Sequence, residues 1–477
     1  MRFLLSALLV FLGSSVYAGG PNVIFIFADD LGWGDIGCYG NEWFETPHLD
    51  KLAVEGMRFT NAYAAAPICS ASRAGVLTGK TPARLGFEFV TKHEEGYQPI
   101  EAPLRAPPYT MNLPLEEVTI PEMISDRDTG FFGKWHLNKH HNGYLGWSPT
   151  HGPKAQGFDV AIEDFGSHPY SYRGKNADRS FLDLPKGEFP TDAVTENAIE
   201  FLRAPHEQPF FLMVSHFYVH DPIHTRVKWL HDHYLEKIPD THPRKAILAH
   251  YGAMVTALDH YVGQVVAAVD EHLGDEKNLI IFTSDNGGHP NYFGNAPLRG
   301  SKWNLYEGGI RVPFIARWKD TIAKESVNDT PVWSLDIAPS VAELANVEIP
   351  DNVDGQSLLP ILQESSTSTE GRTFIWHFPY YHPEKGYSEA PLTIGSDDGV
   401  TSKTKPHSAI RKGDWKLLHF YEDGRNELYF LPDDLSEEND LSEAEPEVAK
   451  RLLEELQKSL EEAHARFPDK NPNYHNQ

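Results

Sequence analysis

Short apolar runs, rich in β-branched and aromatic residues, recur along the chain. Those at 21–28, 209–215 and 278–283 are continuous rather than alternating, which is typical of strands buried on both faces of a parallel sheet. Between them, residues 191–203 and 251–272 place apolar side chains at helical spacing. This alternation predicts an α/β fold, with a large mixed, mostly parallel sheet sandwiched by helices.

The pattern changes after a segment rich in serine and threonine, 365–370, which is predicted to be a linker. Beyond it come short strand-like runs, some separated by hairpin-type turns, and one closing helix. The predicted strands cover 373–378, 409–410, 415–419 and 427–430, and the predicted helix covers 446–463. We therefore expect a main domain over 19–365 and a C-terminal α+β subdomain over 366–477, built from a small antiparallel sheet plus a helix.

The first 18 residues have the pattern of a secretory signal peptide. Arg2 supplies a positive charge, an apolar run follows, and Ala18 ends a small-residue cleavage site. The run is too short to span a bilayer, and no later stretch is long and apolar enough to do so. We expect an exported protein, periplasmic or secreted, without a membrane span.

Charge and cysteine content narrow the possible partners. The formal net charge is −26, which argues against a nucleic-acid partner. It also repels anionic substrates at long range, so such a substrate would need a local basic pocket. The two cysteines, Cys38 and Cys69, exclude a disulfide scaffold by count, although not a single bridge.

Two of the predicted strands end in oxygen-bearing side chains. Asp29 and Asp30 follow the first strand, and Asp285 and Asn286 follow the strand at 278–283. Ligands of open α/β sheets gather at the carboxyl ends of strands. Adjacent carboxylates repel each other unless a cation neutralises them, and oxygen ligands suit calcium or magnesium. The set predicts a cation site, whereas the aspartate pair alone is also compatible with a solvated turn.

Residues 69–79, Cys-Ser-Ala-Ser-Arg-Ala-Gly-Val-Leu-Thr-Gly, predict a helix that starts at Cys69 and packs inward through Val76 and Leu77. Free N–H groups and the positive end of a helix favour a thiolate or an oxyanion at its tip. Arg73, one turn further on, could reach back to the same point. A buried cysteine that opens an ordinary helix is the alternative.

This stretch resembles the signature of the type I sulfatases of the alkaline phosphatase superfamily: Cys, any residue, Pro or Ala, Ser, Arg, then Leu-Thr-Gly. Two further runs are similar to motifs of that family, Gly-Lys-Trp-His-Leu at 133–137 and Glu-Gly-Gly-Ile-Arg-Val-Pro at 307–313. The first strand, with its Asp-Asp pair and Gly-Trp-Gly turn, also looks like the opening of a sulfatase. One departure is Ala71, where many members have Pro, which leaves the maturation system open.

The resemblance implies an alkaline phosphatase-like catalytic sulfatase domain whose cysteine is oxidised. A formylglycine-generating or maturase enzyme would convert Cys69 to formylglycine before folding. One calcium ion would be bound by Asp29, Asp30, Asp285 and Asn286 and would also meet the formylglycine at position 69. The formylglycine hydrate would then attack sulfur while Asp285 takes its proton.

Basic side chains complete the implied mechanism. Arg73, Lys134 and Lys302 would spread the charge of the sulfuryl oxygens. His220, with Lys302, would protonate the leaving oxygen, and His136 would accept a proton when sulfate is expelled. Lys134 and His136 are two residues apart, so an extended segment would direct both to the same side.

Other histidines remain candidates. His377 and His382, near the start of the C-terminal subdomain, are predicted to contact substrate, because loops carry specificity. His216 and His224 are alternatives to His220 as the histidine that follows the strand at 209–215.

Two structural expectations accompany the resemblance. Glu307 and Arg311 are expected to hold their loop together through an ion pair or backbone bonds. Cys38 is expected to stay a free thiol if Cys69 is converted.

The implied function is an exported sulfatase that hydrolyses sulfate esters of sulfated polysaccharide or glycosaminoglycan oligosaccharides. One alternative is a formylglycine-dependent phosphonate or phosphodiester hydrolase built on the same core. The other is a non-catalytic calcium-dependent glycan-binding protein in which Cys69 is never modified.

Overall fold

The fold is known over residues 20–274, 278–292, 295–363, 371–382 and 404–474 of a computed structural model. The predicted signal peptide and the predicted linker at 365–370 lie outside these described residues. The strands are β1 (Asn22–Ala28), β2 (Met57–Phe59), β3 (Ala62–Tyr63), β4 (Leu104–Arg105), β5 (Asp128–Gly133), β6 (Val160–Ile162), β7 (Phe210–Ser215), β8 (Asn278–Ser284), β9 (Phe314–Trp318), β10 (Ser326–Asn328), β11 (Val332–Trp333), β12 (Thr373–Phe378), β13 (His407–Lys412), β14 (Trp415–Phe420), β15 (Asn426–Phe430) and β16 (Asp469–Lys470).

Helices cover both faces of the main sheet and one face of the C-terminal sheet. They are α1 (Pro47–Val54), α2 (Cys69–Thr78), α3 (Pro82–Leu85), α4 (Ile120–Met123), α5 (Ala193–Arg203), α6 (Lys228–Lys237), α7 (Lys245–His272), α8 (Glu307–Ile310), α9 (Ile337–Leu344), α10 (Leu359–Leu362) and α11 (Pro446–Glu462). Short 3-10 helices cover Gly37–Tyr39, Pro153–Gln156, Pro169–Tyr172 and Ser334–Asp336.

The main sheet has eight strands in the order β10-β2-β9-β8-β1-β7-β5-β6. Strands β8, β1, β7, β5 and β6 run parallel, whereas β9 is antiparallel to β8 and to β2. Ala28 is in register with Ser284, and Ser215 is in register with both Phe27 and Gly133. The segments that follow β8, β1, β7 and β5 therefore leave the sheet side by side, as the sequence predicts for a ligand site.

Alternate side chains of β1 enter two separate cores, which explains its uninterrupted apolar sequence. Ile24 and Ile26 pack with the apolar faces of α5 and α7 on one side of the sheet. Phe25 and Phe27 pack with α2 and α9 on the other side. The predicted α/β class, with a mostly parallel sheet sandwiched by helices, is confirmed.

The C-terminal sheet is antiparallel, in the order β12-β13-β14-β15. One face contributes Ile410, Leu417 and Leu428 to a small core with the apolar stripe of α11. The other face contributes Trp376 and other side chains to a core shared with the main domain. The predicted antiparallel sheet with a helix is confirmed, and this second core places the sheet against the region around α2 and α8.

Residues 57–63 form two short strands rather than one, because the chain breaks between β2 and β3. Strand β2 pairs with β9 and β10 in the main sheet, whereas β3 pairs with β11. At the break, the Thr60 N–H donates to the Asn328 carbonyl and the Asn61 amide donates to the Asp329 carbonyl. These bonds turn the chain out of the main sheet toward α2.

Within the described residues, none of the helices combines the length and the apolar character that a membrane crossing would require.

Candidate active site

Three strands deliver polar side chains to the same edge of the main sheet. Asp29 and Asp30 follow β1, Asp285 and Asn286 follow β8, and Lys134 follows β5. The backbone holds these ends together: the Asp29 N–H donates to the Tyr218 carbonyl at 2.8 Å, and the Lys134 N–H donates to the Ser215 carbonyl at 2.8 Å. These side chains therefore meet at one buried site, which we call the cavity.

Helix α2 points its first residue at the same cavity. Its ten residues are all buried, and Val76 and Leu77 pack against the sheet as predicted. Gly79 ends the helix in the left-handed conformation, φ 69°, which suits glycine. The Cys69 Sγ lies 3.8 Å from Asp30 Oδ1. The helix tip and the aspartate-bearing strand ends are therefore in contact.

The side chains of Asp29, Asp30, Cys69 and His220 converge. One ligand atom from each lies within 4.8 Å of the others, and three of the four residues are buried. Within the described residues, no second group of three or more His, Cys, Asp or Glu side chains is this close. His220 belongs to the group because its Nε2 lies 3.7 Å from Asp30 Oδ2.

Three buried cations surround the carboxylates. Lys134 Nζ lies 2.5 Å from Asp29 Oδ2, and Lys302 Nζ lies 2.7 Å from Asp30 Oδ2. The Arg73 guanidinium lies beside the same group, with Nη2 3.7 Å from Asp29 Oδ1. Arg73 Nη1 donates to the Lys134 carbonyl at 2.9 Å and to Ser215 Oγ at 2.5 Å.

Asp285 is held by two groups. Arg73 donates from Nε and Nη2 to Asp285 Oδ2 at 3.1 and 2.7 Å. The Asp30 N–H donates to Asp285 Oδ1 at 3.0 Å. Asp285 thus links the end of β1 to Arg73 rather than joining the close group of ligand atoms.

Burial and charge act in opposite directions on these carboxyl groups. Burial alone would raise the pKa of Asp30, but the charges of Lys302 and Lys134, together with the neighbouring His220, hold it well below its ordinary value. Burial and the nearby Asp29 charge raise the pKa of Asp285 to about 6, against the lowering effect of Arg73. Asp30 is therefore an anion at every pH of biological interest.

The same burial and the same charges shift the pKa values of the Cys69 thiol and of the amino groups of Lys134 and Lys302. Burial raises the pKa of Cys69 above its ordinary value, although Lys134 and Lys302 oppose this. Burial would lower the pKa of both lysines, but Asp29 raises that of Lys134 and Asp30 raises that of Lys302. At neutral pH the lysines are cations, and the unmodified Cys69 is a neutral thiol.

The residues present fit a divalent cation bound through oxygen. Asp29 Oδ1 and Asn286 Oδ1 are buried, and neither has a hydrogen-bond partner in the described part of the chain. A buried polar atom without a partner costs about 1–3 kcal/mol, which a cation at this point would offset. Carboxylate and amide oxygens form the donor set that calcium prefers. The Asn286 amide nitrogen donates to Asp30 Oδ1 at 2.8 Å, which keeps this side chain at the group.

The two histidines beside the cluster are neutral. Burial and the charge of Lys134 lower the pKa of His136 well below its ordinary value. Burial, with Lys134 and Lys302, lowers the pKa of His220 to about 3. His220 Nδ1 lies 2.6 Å from the Asp221 carbonyl, which can only accept, so Nδ1 carries the hydrogen and Nε2 faces Asp30.

The predicted extended segment around Lys134 and His136 is wrong, because His136 adopts a left-handed backbone conformation with φ 56°. Asp30, with φ 59°, and Trp303, with φ 77°, share this feature beside the same cavity. Such conformations cost on the order of 1–3 kcal/mol each and persist where the surroundings enforce them. They turn the chain sharply next to Asp29, Lys134 and Lys302.

The loop that carries Lys302 is fixed on both sides. The Lys302 N–H donates to the Gly288 carbonyl at 3.0 Å, and the Trp303 N–H donates to the Pro67 carbonyl at 2.7 Å. Gly288 follows β8 and Pro67 precedes α2, so the loop is tied to the two elements that form the cavity. The predicted ion pair that closes the neighbouring loop is confirmed, with Arg311 Nη1 3.1 Å from Glu307 Oε2.

The two C-terminal histidines lie in different surroundings. His377 is buried in β12, with Nδ1 2.6 Å from Ser408 Oγ and Nε2 3.0 Å from the Arg466 carbonyl, so the fold occupies both nitrogens. The His382 ring lies 4.7 Å from the Trp303 indole, adjacent in sequence to Lys302. Only His382 lies beside a residue of the cavity.

Tyr170 and His289 were not predicted from the sequence. The Tyr170 hydroxyl lies 2.8 Å from His220 Nδ1, and Tyr170 sits in the 3-10 helix Pro169–Tyr172. His289 is one of the residues that contribute to the lowered pKa of Asp30. A tyrosine in a long irregular loop carries no periodic signal, whereas His289 follows the Asp285–Asn286 pair closely and could have been found from its position.

Comparison with known proteins finds matches to sulfatases along most of the chain. Residues 21–347 match the family model "Sulfatase", and residues 301–466 match "N-sulphoglucosamine sulphohydrolase, C-terminal". Mouse steryl-sulfatase is 30% identical over 443 residues, covering 75% of this chain and 67% of the relative. Human arylsulfatase A is 31% identical over 403 residues, covering 80% and 74%, and a sulfatase of Formosa agariphila is 28% identical over 489 residues, covering 89% and 85%.

Solved structures with the same fold include that of Ps i-CgsB in complex with k-i-k-neocarrahexaose. It superposes with a TM-score of 0.70 and 25% identity, covering 96% of this chain and 95% of that one. A structure of BT4656 with D-glucosamine-2-N,6-O-disulfate has a TM-score of 0.66 at 21% identity, covering 93% and 98%, and is similar in fold.

Proposed function

Because this chain belongs to the sulfatase family and is a sulfuric ester hydrolase, we propose that it is an exported enzyme that removes sulfate from sulfated polysaccharide or glycosaminoglycan oligosaccharides. The observation that carries this proposal is the convergence of Asp29, Asp30, Cys69 and His220 within 4.8 Å of one another. The names of relatives support the substrate class, among them N-acetylgalactosamine-6-sulfatase and the carrageenan-oligosaccharide complex of Ps i-CgsB.

A formylglycine at position 69 and a calcium ion would complete the site. Cys69, converted to formylglycine, would supply a nucleophilic oxygen in place of sulfur. A calcium ion held by Asp29, Asp30, Asp285, Asn286 and the group at position 69 would lower the pKa of that hydroxyl and offset the negative charge of the sulfate. Conversion would precede folding, because Cys69 is 1% exposed in the folded chain.

The buried cations bind and orient the sulfate group. Lys134 contacts Asp29 and Lys302 contacts Asp30, so each aspartate of the pair has its own ammonium group. Ammonium groups fixed in a buried site stabilise developing charge at low reorganisation cost. Arg73 acts behind them, because its bonds to Asp285 hold the cationic end of its side chain at the sheet edge.

Protons move between the chain and the reacting oxygens at three positions. His220 Nε2 faces the cavity and, with Lys302, would give a proton to the leaving oxygen once an anionic ester raises the proton affinity of the ring. Asp285 would accept the proton of the attacking hydroxyl. His136, neutral in the free protein, would accept the proton that is lost when sulfate leaves.

The test combines mass spectrometry with a substrate panel. We expect the peptide that contains Cys69 to carry an aldehyde in active protein, and we expect the protein to release sulfate from at least one defined sulfated oligosaccharide. An intact thiol in fully active protein would contradict the proposed nucleophile. Faster hydrolysis of a phosphodiester than of any sulfate ester would contradict the proposed substrate class.

A further inference from the structure

Four basic side chains lie just outside the cavity, on the side of His136 and His220. We call them the outer basic group. They are Lys92, His93, His140 and Arg173. None of them belongs to the motifs discussed above, and Arg173 and His93 are exposed to solvent.

The histidines of the outer basic group lead outward from the cavity. The His140 ring lies 5.9 Å from the His136 ring, and His140 Nδ1 lies 3.2 Å from His93 Nε2. The segment that carries His93 is anchored beside the helix tip, because the Thr91 N–H donates to Ser70 Oγ at 3.4 Å. Ser70 follows Cys69 directly, so this segment passes beside the proposed nucleophile.

Arg173 reaches the cavity through two tyrosines. Its guanidinium lies 4.4 Å from the centre of the Tyr144 ring and 5.1 Å from that of Tyr170. The hydroxyl of Tyr170 is the group that contacts His220 Nδ1 at 2.8 Å. Stacking on tyrosine orients a guanidinium without neutralising its charge. Arg173 is thus held one aromatic ring away from the proposed proton donor.

The outer cations have no acidic partner among the described residues. Neither Lys92 nor Arg173 forms an ion pair there, although Glu94 and Glu95 lie nearby in the sequence. Lys92 Nζ instead lies 5.1 Å from the centre of the Phe89 ring, and burial lowers its pKa. In contrast, the cations inside the cavity are all paired with aspartates.

The positive charges of the outer basic group also affect the pKa of His140. Burial, together with the positive charges of His93, Lys92, Arg173 and Lys134, lowers the pKa of His140 to about 4. The whole chain has a net charge of −26, so this group is a local concentration of positive charge on an acidic protein. An anion bound there would gain attraction from several groups at once.

We propose that Lys92 and Arg173 bind a second acidic group of the substrate, so that the preferred substrates are oligosaccharides with at least two anionic groups. One is the sulfate ester that is cleaved, and the other lies on the same or the adjacent sugar. This inference rests on the proposed function and specifies its substrate class. Both a second sulfate and a uronate carboxylate have the required charge, and Arg173 can bind either through paired N–H groups.

The test compares defined saccharides that differ by one acidic group. Matched disaccharides would carry a single sulfate ester, the same ester with a second sulfate, or the same ester with a neighbouring uronate. We expect kcat/KM to be at least about tenfold higher for one of the doubly charged compounds, mainly through a lower KM. The preference should shrink between 50 mM and 500 mM sodium chloride, since salt screens exposed charges.

Variants assign the preference to residues. Arg173→Met and Lys92→Met keep an apolar stem over the aromatic rings but remove the charge. We expect each to raise KM for the preferred doubly charged compound about tenfold, and the singly sulfated compound to change by less than about threefold. Lys186→Met is the matched control, because it removes one exposed charge from a different loop and should leave both KM values unchanged.

A binding measurement separates this inference from the proposed function. Calorimetry with Cys69→Ala protein, with and without Arg173→Met and Lys92→Met, reports affinity for the same saccharides without turnover. If no saccharide and no aryl sulfate is hydrolysed by protein with a converted Cys69, the proposed function fails. If singly and doubly charged compounds are hydrolysed and bound equally well, or if the two variants leave KM unchanged, this inference alone is overturned.

Discussion

Two groups of buried charges in this protein can be compared directly. The catalytic cluster is formed by Asp29, Asp30, Asp285, Arg73, Lys134 and Lys302. The interface cluster, where the C-terminal sheet meets the main domain, is formed by Glu307, Glu437, Arg311, Arg411 and Lys416. Both are excluded from solvent, and each contains carboxylates paired with lysine and arginine.

Each cluster contains one carboxylate oxygen without a hydrogen-bond partner among the described residues, Glu437 Oε1 in the interface cluster and Asp29 Oδ1 in the catalytic cluster. The clusters differ in how closely a cation approaches that oxygen. In the interface cluster, Lys416 Nζ lies 2.8 Å from an oxygen of Glu307 and 2.8 Å from an oxygen of Glu437. The second oxygen of Glu307 accepts from the Tyr63 hydroxyl at 2.7 Å. In the catalytic cluster, Asp29 Oδ1 has no hydrogen-bond partner among the described residues, and it lies 3.7 Å from Arg73 Nη2.

This difference separates a cluster that holds the fold together from one that can receive a ligand. In the interface cluster each carboxylate oxygen of Glu307 and Glu437 has a cation or a hydrogen-bond donor within 2.8 Å, so a further cation would gain little there. In the catalytic cluster a buried carboxylate oxygen without a hydrogen-bond partner is costly, so a bound cation would stabilise it. Burial and charge content alone would not have distinguished the two clusters.

The largest expected effect follows from Cys69→Ala. Because the proposed nucleophile is lost, we expect sulfate release to fall at least about a thousandfold, while the thermal unfolding midpoint changes little. Sulfate can be measured by ion chromatography. Cys38→Ala is the matched control, since Cys38 is half-buried outside the cluster and should be dispensable for turnover. Undiminished activity of Cys69→Ala would remove the catalytic cluster from the mechanism.

Metal removal tests the open oxygens of the catalytic cluster. We expect EDTA to lower the unfolding midpoint of the native protein, because a ligand at a hundred times its Kd stabilises the fold by about 2.7 kcal/mol. Activity should fall at least about a hundredfold and return with calcium. Calcium content, measured by mass spectrometry after dialysis, should be near one ion per chain.

Comparison of Asp30→Asn with Asp354→Asn shows whether the measured calcium is bound at the catalytic cluster. Asp30→Asn should abolish both the bound calcium and the response to EDTA. Asp354 pairs with Arg84 away from the cavity, so Asp354→Asn should keep both. Equal calcium content in the two variants would place the ion outside the catalytic cluster.

Lysine substitutions contrast the two clusters. Lys416→Met leaves Glu307 and Glu437 buried without their shared cation, so we expect a loss of about 3–5 kcal/mol in the free energy of unfolding. KM of the folded protein should not change. Lys302→Met should instead reduce turnover, with a smaller loss of stability. Urea unfolding and kinetics on the same preparations measure both quantities.

A surface pair gives the baseline for this contrast. Lys228 and Asp232 are half-exposed neighbours on α6, so Lys228→Met should cost no more than about 1 kcal/mol. If Lys416→Met is no more destabilising than Lys228→Met, the interface cluster does not hold the two parts of the chain together.

The main features of the fold and of the cavity could be predicted because they depend on local patterns. Buried strands can be predicted because they are continuous apolar runs in the sequence. The residues that directly follow parallel strands lie at the same edge of the sheet, which brings Asp29 near Asp285. The helix that starts at Cys69 is likewise local. These inferences need no knowledge of the loops.

Other features depend on contacts that no short pattern encodes. Glu307 and Lys416 are 109 positions apart, so their pairing arises only when the C-terminal sheet docks. Tyr170 reaches His220 from an irregular loop for the same reason. The left-handed turn at His136 is not encoded by alternation along an extended chain, and Gly133, with φ 104°, already leaves the extended conformation at the end of β5.

The smallest expected effect concerns the response of the interface cluster to pH. Burial and the Glu307 charge raise the pKa of Glu437 from 4.5 to about 7, although Lys416 opposes this. A carboxyl with a raised pKa in the folded state stabilises the fold fully below pH 4.5, and this contribution is lost as the pH rises toward 7. Glu307 behaves oppositely, because Lys416 and Arg311 outweigh burial and lower its pKa to about 2, so its contribution is lost only in acid.

Glu437→Gln isolates that response. The amide keeps a carbonyl oxygen for the Glu307 N–H, which donates to Glu437 at 2.6 Å in the native protein, but it cannot ionise. Relative to this variant, we expect the native protein to lose on the order of 1–3 kcal/mol of unfolding free energy between pH 4.5 and pH 8. Urea titrations at both pH values measure the difference, and raised pKa values elsewhere, as at Asp35 and Asp259, cancel because both proteins share them. Parallel pH dependence in the two proteins would mean that Glu437 stays ionised in the closed cluster, and the contrast with the catalytic cluster would then rest on geometry alone.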